Sequence, residues 1–352
     1  MIKPIPVHIL GAGSIGIFIA SKLSNLKTSP SITLLLRNLS KVENFQSVYN
    51  STIQLKSKIT PQVDIQKFKF NSSCPESFIS SPSIIENLII TTKTYQTEEA
   101  LQKYLPFIKP SSNIILVQNG LGVPQKLYEN IWPNLQERPN LFQGVIGHGI
   151  NTQGGWIFTH TGLGDLKISK IPKDLNNPDK ESVQKPEIVE LLENCKELDT
   201  ICFEYSDLLL FQIKKFVANA SINSITSIID CINYELRSYE GLQGLVYDTI
   251  SEIIDILVTT TPIIKKNPQW KTILDKQELT KFVLYYATEV HANSSTSMRQ
   301  DVLNNRITEI DYLNGYIVKL AEENGLKADV NKTITNLVKL RSSVNRSRAK
   351  LI

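Results

Sequence analysis

The sequence predicts an α/β domain built on a parallel sheet, followed by a domain made of helices. A short apolar run over residues 6–10 leads directly into a glycine-rich turn and then into an apolar helical pattern that continues to Leu26. Further apolar strand-like runs alternate with helical patterns, as a parallel sheet requires. From Tyr205 onward helical periodicity dominates. We therefore expect two domains, 1–204 and 205–352, with the boundary near residue 204.

The glycine-rich turn has the spacing G-x-G-x-x-G. The first glycine permits a tight turn, the second lets the backbone approach a pyrophosphate, and the third lets the helix pack on the strand. The motif alone is weak, but the strand before it, the helix after it and a second apolar strand over 31–36 give it the context of a Rossmann-type dinucleotide-binding unit. The alternative is a purely structural turn. The residues predicted to bind the dinucleotide are Gly11, Ala12, Gly13, Ser14, Ile15 and Gly16.

The second strand is followed by Arg37 and Asn38, where an NAD-specific fold usually places a carboxylate that holds the ribose 2′-hydroxyl. A cation at this position suits a 2′-phosphate, which a carboxylate would repel. The sequence therefore predicts NADPH as the preferred cofactor. The alternative is a surface arginine at the end of a strand.

Two polar residues follow further predicted strands of the same sheet. Lys93 comes after the apolar run 87–92, and Asn119 follows the run 113–117, with a helical pattern over 98–105 between them. Ligands of such sheets bind at the carboxyl ends of the strands, so both residues are candidates for the cofactor site. Lys93 could equally be a solvent-facing strand end.

The rest of the predicted N-terminal domain contains a β-rich segment and a polar one. Residues 144–168 combine glycine turns with short apolar runs, which predicts antiparallel strands that complete the same sheet. From Ser169 to about Pro186 the composition shifts to Lys, Asp, Asn and Pro, which indicates an exposed insertion.

Composition excludes several classes of function. The chain has 352 residues, 41% of them hydrophobic and 20% charged, with a net charge of +4. This small charge, without a basic patch interleaved with aromatic residues, argues against nucleic-acid binding. Four cysteines without C-x-x-C spacing and only four histidines give no metal-site pattern. No run is long and apolar enough to cross a bilayer, and the first strand starts too close to Met1 for a targeting peptide, so we expect a cytoplasmic protein without metal or membrane partners.

The first helix of the second domain has an unusual polar stripe. At about 100° per residue, Lys215, Asn219, Asn223 and Thr226 fall within a stripe about 80° wide. A solvent-facing stripe favours Glu, Lys and Arg over asparagine, which is a mediocre helix former. We therefore predict that these side chains line a site; the alternative is a helix whose polar face lies in water.

A second polar region follows at 294–301 and 306–315. Thr308 and Asp311 have the spacing of a helix-capping box, and helix N-termini favour carboxylates, so structure alone could explain Glu309. The serine cluster that contains Ser297 has an equally plain explanation as a loop with a helix N-cap.

The motifs in their order are similar to those of the ketopantoate reductase family, and the chain resembles that family nearly from end to end. The shared features are GAGSIG at 11–16, Arg37, Thr92-Lys93, QNGLG at 118–122, HG at 148–149, HTGLGD at 160–165, K-x-x-x-N-x-x-x-N-x-x-T at 215–226, SM-x-QD at 297–301 and TEIDYLNG at 308–315. Each motif is modest alone, and their shared order and spacing are specific.

The resemblance implies reduction of 2-dehydropantoate (ketopantoate) to pantoate by NADPH, in the route to pantothenate and coenzyme A. It also implies a helical C-terminal domain of the 6-phosphogluconate dehydrogenase C-terminal-like class. Lys215 resembles the family's catalytic lysine, which acts as general acid, and Glu309 its conserved acid. The resemblance further implies substrate binding by Asn219, Asn223, Ser297 and Asn119, and cofactor binding by the glycine turn, Arg37, Lys93 and Asn119.

Some residues depart from the family pattern and leave other functions open. Ser224 stands where the family commonly has proline, Arg299 where it usually has an aliphatic residue, and Lys214 is an additional lysine. A pocket rim can change while a ketone-reducing core persists. The alternatives are a reductase of another 2-oxo acid, keto ester or bulky ketone, and a non-catalytic NADP(H)-binding sensor. A homodimer through the helical domain is compatible with the sequence, although no feature demands one.

Overall fold

The computed structural model describes residues 4–59, 64–175 and 185–349. The chain forms two compact units. Unit 1 comprises Met1–Gln118 and Val123–Leu208, and unit 2 comprises Asn119–Gly122 and Leu209–Ile352. The short segment Asn119–Gly122 thus belongs to the second unit although it follows a strand of the first.

Unit 1 contains strands and short helices in alternation. Its described strands are β1 (Pro6–Leu10), β2 (Ser31–Leu35), β3 (Thr52–Ser57), β4 (Asp64–Lys69), β5 (Asn71–Ser73), β6 (Asn87–Ile90), β7 (Asn113–Leu116), β8 (Asn140–Ile146), β9 (Gly149–Gly154), β10 (Ile157–Gly162), β11 (Leu166–Lys170) and β12 (Thr200–Cys202). Its described helices are α1 (Ser14–Ser24), α2 (Leu39–Ser47), α3 (Pro75–Ser80), α4 (Thr97–Gln102), α5 (Val123–Asn130) and α6 (Glu187–Asn194), with 3₁₀ turns at Thr94–Gln96, Leu105–Phe107 and Leu135–Glu137.

The main sheet confirms the predicted α/β fold. Its order is β12-β11-β8-β7-β6-β1-β2-β5, and the pairs from β2 through β1, β6 and β7 to β8 are all parallel. The chain leaves β1 for β2 on one side and later places β6 on the other, so the strand order reverses at β1. Ligands of open α/β sheets bind at such a switch point, beyond the carboxyl ends of the strands.

A second sheet corrects the prediction for residues 144–168. β8 and β11 pair antiparallel in the main sheet as expected, whereas β9 and β10 join β3 and β4 in a separate sheet of order β4-β3-β10-β9. The chain leaves the main sheet at Gly147 and returns at Gly164, and a Cβ on Gly164 would collide with the Gly147 carbonyl group. Glycine at position 164 therefore allows the two segments to approach closely at the point where the two sheets separate.

The predicted exposed insertion starts later than expected. Ser169 and Lys170 belong to β11, and Ser169 and Ile171 are buried, because this strand continues the antiparallel pairing with β8 as far as Phe142. Residues 176–184, the centre of the predicted insertion, lie outside the described residues.

Unit 2 is helical, as predicted. Its elements are α7 (Tyr205–Ala218, whose first turn belongs to unit 1), a π-helical turn (Asn219–Asn223), α8 (Ser224–Ile229), a 3₁₀ turn (Asn233–Ser238), α9 (Leu242–Thr260), α10 (Pro262–Lys266), α11 (Trp270–Ile273), α12 (Lys276–Tyr285), a second π-helical turn (Tyr286–Val290), α13 (Ser297–Leu303), a 3₁₀ turn (Ile310–Tyr312), α14 (Asn314–Glu323) and α15 (Asp329–Ala349). The central helix α9 buries Val246, Ile250, Ile253 and Leu257, a helical spacing that places one face in the core. Among the described residues, no helix has both the length and the apolar character needed to cross a membrane.

Candidate functional site

The glycine turn of unit 1 has the geometry that a dinucleotide requires. Gly11 has φ +109°, a backbone conformation that favours glycine. A Cβ on Gly16 would collide with the Gly11 carbonyl oxygen, so the third glycine is needed for packing. A Cβ on Gly13, in contrast, would meet no atom within 4 Å. Gly13 precedes α1, where no side chain caps the helix, so its surroundings leave room for an anion at the helix N-terminus.

The end of β6 is joined to the glycine turn. The Thr91 hydroxyl donates to the Gly11 carbonyl oxygen at 2.6 Å, and the Thr91 N–H donates to the Leu10 carbonyl at 2.8 Å. Lys93 is two residues further on, half-buried at the start of the 3₁₀ turn Thr94–Gln96. The structure thus brings the Lys93 segment to the glycine turn through Thr91, a residue that the sequence motif did not identify.

Arg37 lies at the same edge of the sheet. Leu35 ends β2 opposite Leu10, and Arg37 follows two residues later with its side chain exposed. The Asn38 side chain accepts a hydrogen bond from the Lys41 N–H and so caps α2. The first turn of α2 contains no acidic residue, which leaves this helix start favourable for an anion.

The polar stripe of unit 2 is interrupted by a π-helical turn. Lys215 is half-buried in the last turn of α7, and the π turn Asn219–Asn223 follows directly. The amide of Asn223 donates to the Asn219 side-chain oxygen at 3.3 Å, so these two carboxamides are neighbours. Turns of this type inside α-helices are frequent at functional sites.

Thr226 does not continue the stripe. It is 0% exposed, and its hydroxyl lies 2.7 Å from the Thr296 hydroxyl, inside the unit. The predicted stripe assumed 100° per residue, and this spacing does not hold across a π turn, which has more residues per turn. The bond nevertheless positions the site, because Thr296 caps α13 immediately before the exposed Ser297. Ser297 is thereby held near the helix of Asn223.

The loop that carries Asn119 is tied to two other parts of unit 2. The Gln212 amide, one turn before Lys215, donates to the Gly120 carbonyl oxygen at 3.1 Å. The Leu121 N–H donates to the Tyr312 carbonyl oxygen at 3.4 Å, three residues after Glu309. Gly120 has φ +90°, and a Cβ there would lie 2.6 Å from the same Tyr312 oxygen. The loop therefore connects the Lys215 helix with the Glu309 segment.

Glu309 is buried, with 7% of its surface exposed, immediately before the 3₁₀ turn Ile310–Tyr312. The capping-box explanation is not supported, since no side chain caps this turn and Asp311 instead pairs with Lys339 at 2.6 Å. A buried carboxyl in this segment is a candidate site residue.

Arg299 and Lys214, which depart from the family pattern, both have structural partners. The Arg299 guanidinium pairs with Asp230 at 2.8 Å and donates to the Ser295 hydroxyl, which ties the start of α13 to the end of α8. The Lys214 ammonium lies 3.8 Å from the centre of the Phe282 ring, a cation–π contact. These contacts within unit 2 give both residues a structural role, so neither needs a role in chemistry to explain its presence. In the described part of the chain, no cluster of three or more His, Cys, Asp or Glu side chains could hold a metal ion.

Comparison with known proteins identifies the relatives of the chain. Residues 7–173 match the model of ketopantoate reductase PanE/ApbA, and residues 207–342 match the model of its C-terminal domain. A probable 2-dehydropantoate 2-reductase of Schizosaccharomyces pombe is 41% identical over 346 residues, which cover 97% of this chain and 98% of the relative. The 2-dehydropantoate 2-reductase of Saccharomyces cerevisiae is 34% identical, and the match covers 97% of this chain and 96% of the relative.

A solved structure shows the same fold at low identity. The ternary structure of D-mandelate dehydrogenase with NADH and anilino(oxo)acetate aligns with a TM-score of 0.76, 18% identity, and coverage of 97% of this chain and 100% of that one. At this identity the match establishes the architecture alone.

Proposed function

Because the chain belongs to the ketopantoate reductase family, we propose that it reduces 2-dehydropantoate to pantoate with NADPH, with Lys215 as general acid. Residues 1–204 would bind the cofactor and residues 205–352 the substrate, with Asn119 serving both. Bound NADPH supplies the hydride that reduces the ketone carbon.

One observation carries the assignment. Bonds between distant segments of unit 2 bring together the residues that the sequence singled out for substrate and acid. Gln212 and Leu121 join the Lys215 helix, the Asn119 loop and the Glu309 segment, and Thr226 joins the Asn223 helix to the start of α13. These links between the segments that carry a lysine, two adjacent carboxamides and a buried carboxyl support the proposal that the four side chains share one site.

The residues have distinct roles in the proposed reaction. As the ketone becomes an alcohol, charge develops on its oxygen, and the Lys215 ammonium stabilises that charge and donates the proton. Glu309 holds Lys215 or the substrate hydroxyl in place. Asn219 and Asn223 hydrogen-bond the polar groups of the substrate, and the Ser297 hydroxyl suits its carboxylate.

The structure around Arg37 supports the preference for NADPH. Arg37 is exposed just before α2, and Lys41 in the first turn of that helix adds a second cation. A 2′-phosphate would be attracted by both side chains, whereas the 2′-hydroxyl of NADH would gain little. At the glycine turn, the space beside Gly13 and the uncapped start of α1 suit the pyrophosphate.

The test is an NADPH-oxidation assay with a panel of ketones. Each ketone is assayed with NADPH and with NADH. We expect faster turnover of ketopantoate than of pyruvate, a keto ester or phenylglyoxylate. The aromatic acid is included because D-mandelate dehydrogenase has the same fold. The proposal is falsified if ketopantoate does not accelerate NADPH oxidation. Turnover of another ketone alone would identify a different reductase, and tight NADPH binding without any turnover would identify a sensor.

The cytoplasm as location and a homodimer as assembly state remain predictions. Cell fractionation tests the first. Light scattering of the purified chain tests the second.

A further inference from the structure

We propose that Asn314 is a positioning residue for the Glu309 turn, acting through a buried chain of side-chain hydrogen bonds that begins at Ser224. The proposed role in catalysis depends on the function proposed above. We name this hydrogen-bonded chain the amide relay; it consists of Ser224, Asn314, Asn331 and Glu252.

The relay runs through the interior of unit 2. The Ser224 hydroxyl donates to the Asn314 side-chain oxygen at 2.8 Å, and the Asn314 amide donates to the Asn331 side-chain oxygen at 2.9 Å. The Asn331 amide donates to the Glu252 carboxylate at 2.7 Å. Ser224, Asn314 and Asn331 are each 0% exposed.

All bonds of the relay point in one direction and end on a charge. The Glu252 carboxylate also accepts the backbone N–H groups of Val330 and Asn331, at 3.2 and 2.8 Å, in the first turn of α15. Because the carboxylate only accepts, it fixes Asn331 as donor, and Asn331 in turn fixes the orientation of the Asn314 amide. Only one amide orientation of Asn314 then presents its oxygen to Ser224.

The two ends of the first bond lie beside candidate site residues. Ser224 directly follows Asn223 at the end of the π turn. Asn314 is the first residue of α14, two residues after the 3₁₀ turn that follows Glu309. The bond between them therefore fixes the distance between the substrate-binding helix and the Glu309 turn.

Packing alone would not require this arrangement. The surrounding core of unit 2 is apolar, with Ile222, Ile225 and Ile317 among its buried residues. Buried polar groups are costly unless they are fully paired, and apolar side chains of similar volume would fill the space at least as well. A chain of directional hydrogen bonds allows only one relative position of the segments that it connects. A catalytic carboxyl needs such a fixed position.

A pair of variants separates positioning from stability. Ser224→Ala deletes the donor to Asn314. Ser227→Ala is the matched control, because Ser227 lies on the same helix, is 1% exposed, and donates only to the Ser224 carbonyl oxygen of that helix. We expect Ser224→Ala to lower kcat about tenfold with KM changed less than about twofold, since small displacements of catalytic groups reduce rates strongly. Ser227→Ala should leave both constants within about twofold of the original.

Hydrogen exchange gives a readout that does not depend on the reaction. The N–H groups of Tyr312 and Leu313 bond within the Glu309 turn, to the carbonyls of Glu309 and Ile310. Ser224→Ala should accelerate exchange in a peptide covering 309–313, whereas Ser227→Ala should not. Equal exchange and equal kcat in the two variants would overturn the proposal.

Asn314→Asp is a variant whose hydrogen bond to Asn331 should depend on pH. The ionised aspartate has no proton for the Asn331 oxygen, whereas the neutral acid can donate an O–H where the amide donated an N–H. We expect the ratio of variant kcat to original kcat to rise several-fold as the pH falls from about 8 to about 6. A ratio that does not change with pH contradicts a positioning role.

The outcomes distinguish the relay from the proposed function. A wild-type chain that reduces no 2-oxo acid refutes the function, while the exchange comparison still decides whether Ser224 and Asn314 fix the turn. Full turnover by Ser224→Ala together with faster exchange refutes the catalytic role of the relay and leaves the reductase assignment intact.

Discussion

The glycine turn of unit 1 and the polar helix of unit 2 are both candidate sites, but different parts of the chain build them. At the glycine turn the backbone itself would form the cofactor-binding surface, because Gly11, Gly13 and Gly16 provide a turn, an open approach and a packing contact within six residues. In unit 2 the candidate groups come from segments about a hundred residues apart. Bonds such as Gln212 to Gly120 hold those segments together.

This difference has consequences for mutation. A backbone-built site loses binding when a side chain is added, even where the fold has room for it. A side-chain-built site loses catalysis when one group is removed, even where the fold remains. Substitutions in the two units should therefore affect different measured quantities.

The largest effect is expected for Lys215→Ala. Removal of the proposed general acid should lower kcat by about 10² to 10⁴-fold. NADPH affinity, measured by fluorescence titration, should change less than about twofold, because the glycine turn and Arg37 lie in unit 1.

Lys214→Ala is the matched control for this experiment. Its ammonium is held over Phe282, so we expect kcat within a few-fold of the original. Unchanged turnover in Lys215→Ala would remove this residue from the mechanism, and equal losses in both variants would indicate a general effect of charge.

The next effect compares two alanine substitutions inside the glycine turn. Gly13→Ala places its Cβ in open space at a residue with φ −89°, so the melting temperature should be unchanged. The same Cβ should obstruct the pyrophosphate and weaken NADPH binding at least about tenfold.

Gly16→Ala should behave in the opposite way, because its Cβ collides with the Gly11 carbonyl oxygen and the Thr91 hydroxyl. We expect a loss of about 1–3 kcal/mol in unfolding free energy, which is typical of overpacking. Calorimetry and cofactor titration of both variants check this pair. Tight NADPH binding by Gly13→Ala would show that this backbone does not hold the cofactor.

The same contrast explains how much could be predicted from the sequence. The glycine turn, the parallel strands and the start of α7 at Tyr205 follow from local spacing, and the structure confirms the corresponding fold. Strand ends were less accurate, since β2 and β6 stop at Leu35 and Ile90, one or two residues before the predicted ends.

The features that sequence analysis missed depend on distant contacts. The β3–β4 hairpin was not predicted. It pairs with β10, so that β9 and β10 belong to a second sheet and not to the main one. Thr226 was placed on the polar stripe because a π turn has no reliable sequence signal. Gln212 and Thr91 look ordinary in the sequence, and only their bonds to Gly120 and Gly11 reveal their importance.

A smaller effect is expected for the cofactor preference. Arg37→Ala should reduce the ratio of kcat/KM for NADPH to that for NADH by about tenfold, a loss of about 1.4 kcal/mol, which is close to the lower limit for one hydrogen bond to a charged group. Lys67→Ala, an exposed lysine on β4 of the same unit, is the control and should leave the ratio unchanged. An unaltered ratio in Arg37→Ala would show that this arginine does not bind the 2′-phosphate.

The smallest effect concerns a buried histidine pair behind α1. His148 and His160 both contact the Phe18 ring of this helix, and their ring nitrogens are 3.2 Å apart. The Leu198 carbonyl accepts from His148 Nε2 and the Gly162 carbonyl from His160 Nε2, so both rings fit as neutral tautomers. A proton on His148 Nδ1 would face the His160 N–H.

The electrostatic surroundings of the pair are mixed. Burial is the largest cause that lowers the pKa of both histidines below the ordinary value of 6.5, and Lys22 lowers both further. Asp165 and Asp199 act in the opposite direction on the pKa of His148, and Glu197 does so on the pKa of His160.

The sign of the pH dependence follows from these directions. Because the folded pKa values lie below the unfolded one, the pair contributes its full stability above about pH 6.5 and loses it as the pH falls toward the folded pKa values. Each pKa unit of lowering corresponds to about 1.4 kcal/mol. We expect the melting temperature to fall by a few degrees between pH 7.5 and pH 5.5, a window above the lowered carboxyl pKa values of Glu193 and Glu197.

His160→Gln isolates the contribution of the pair, because glutamine donates a hydrogen bond without titrating. The variant should lose part of the pH dependence, while His8 and His291, whose pKa values burial also lowers, still contribute in the same direction. Identical pH profiles for the variant and the original chain would show that His160 does not titrate in this window. Since the pair packs behind the helix of the glycine turn, its protonation should also weaken NADPH binding at pH 5.5 more than it changes kcat at saturating cofactor.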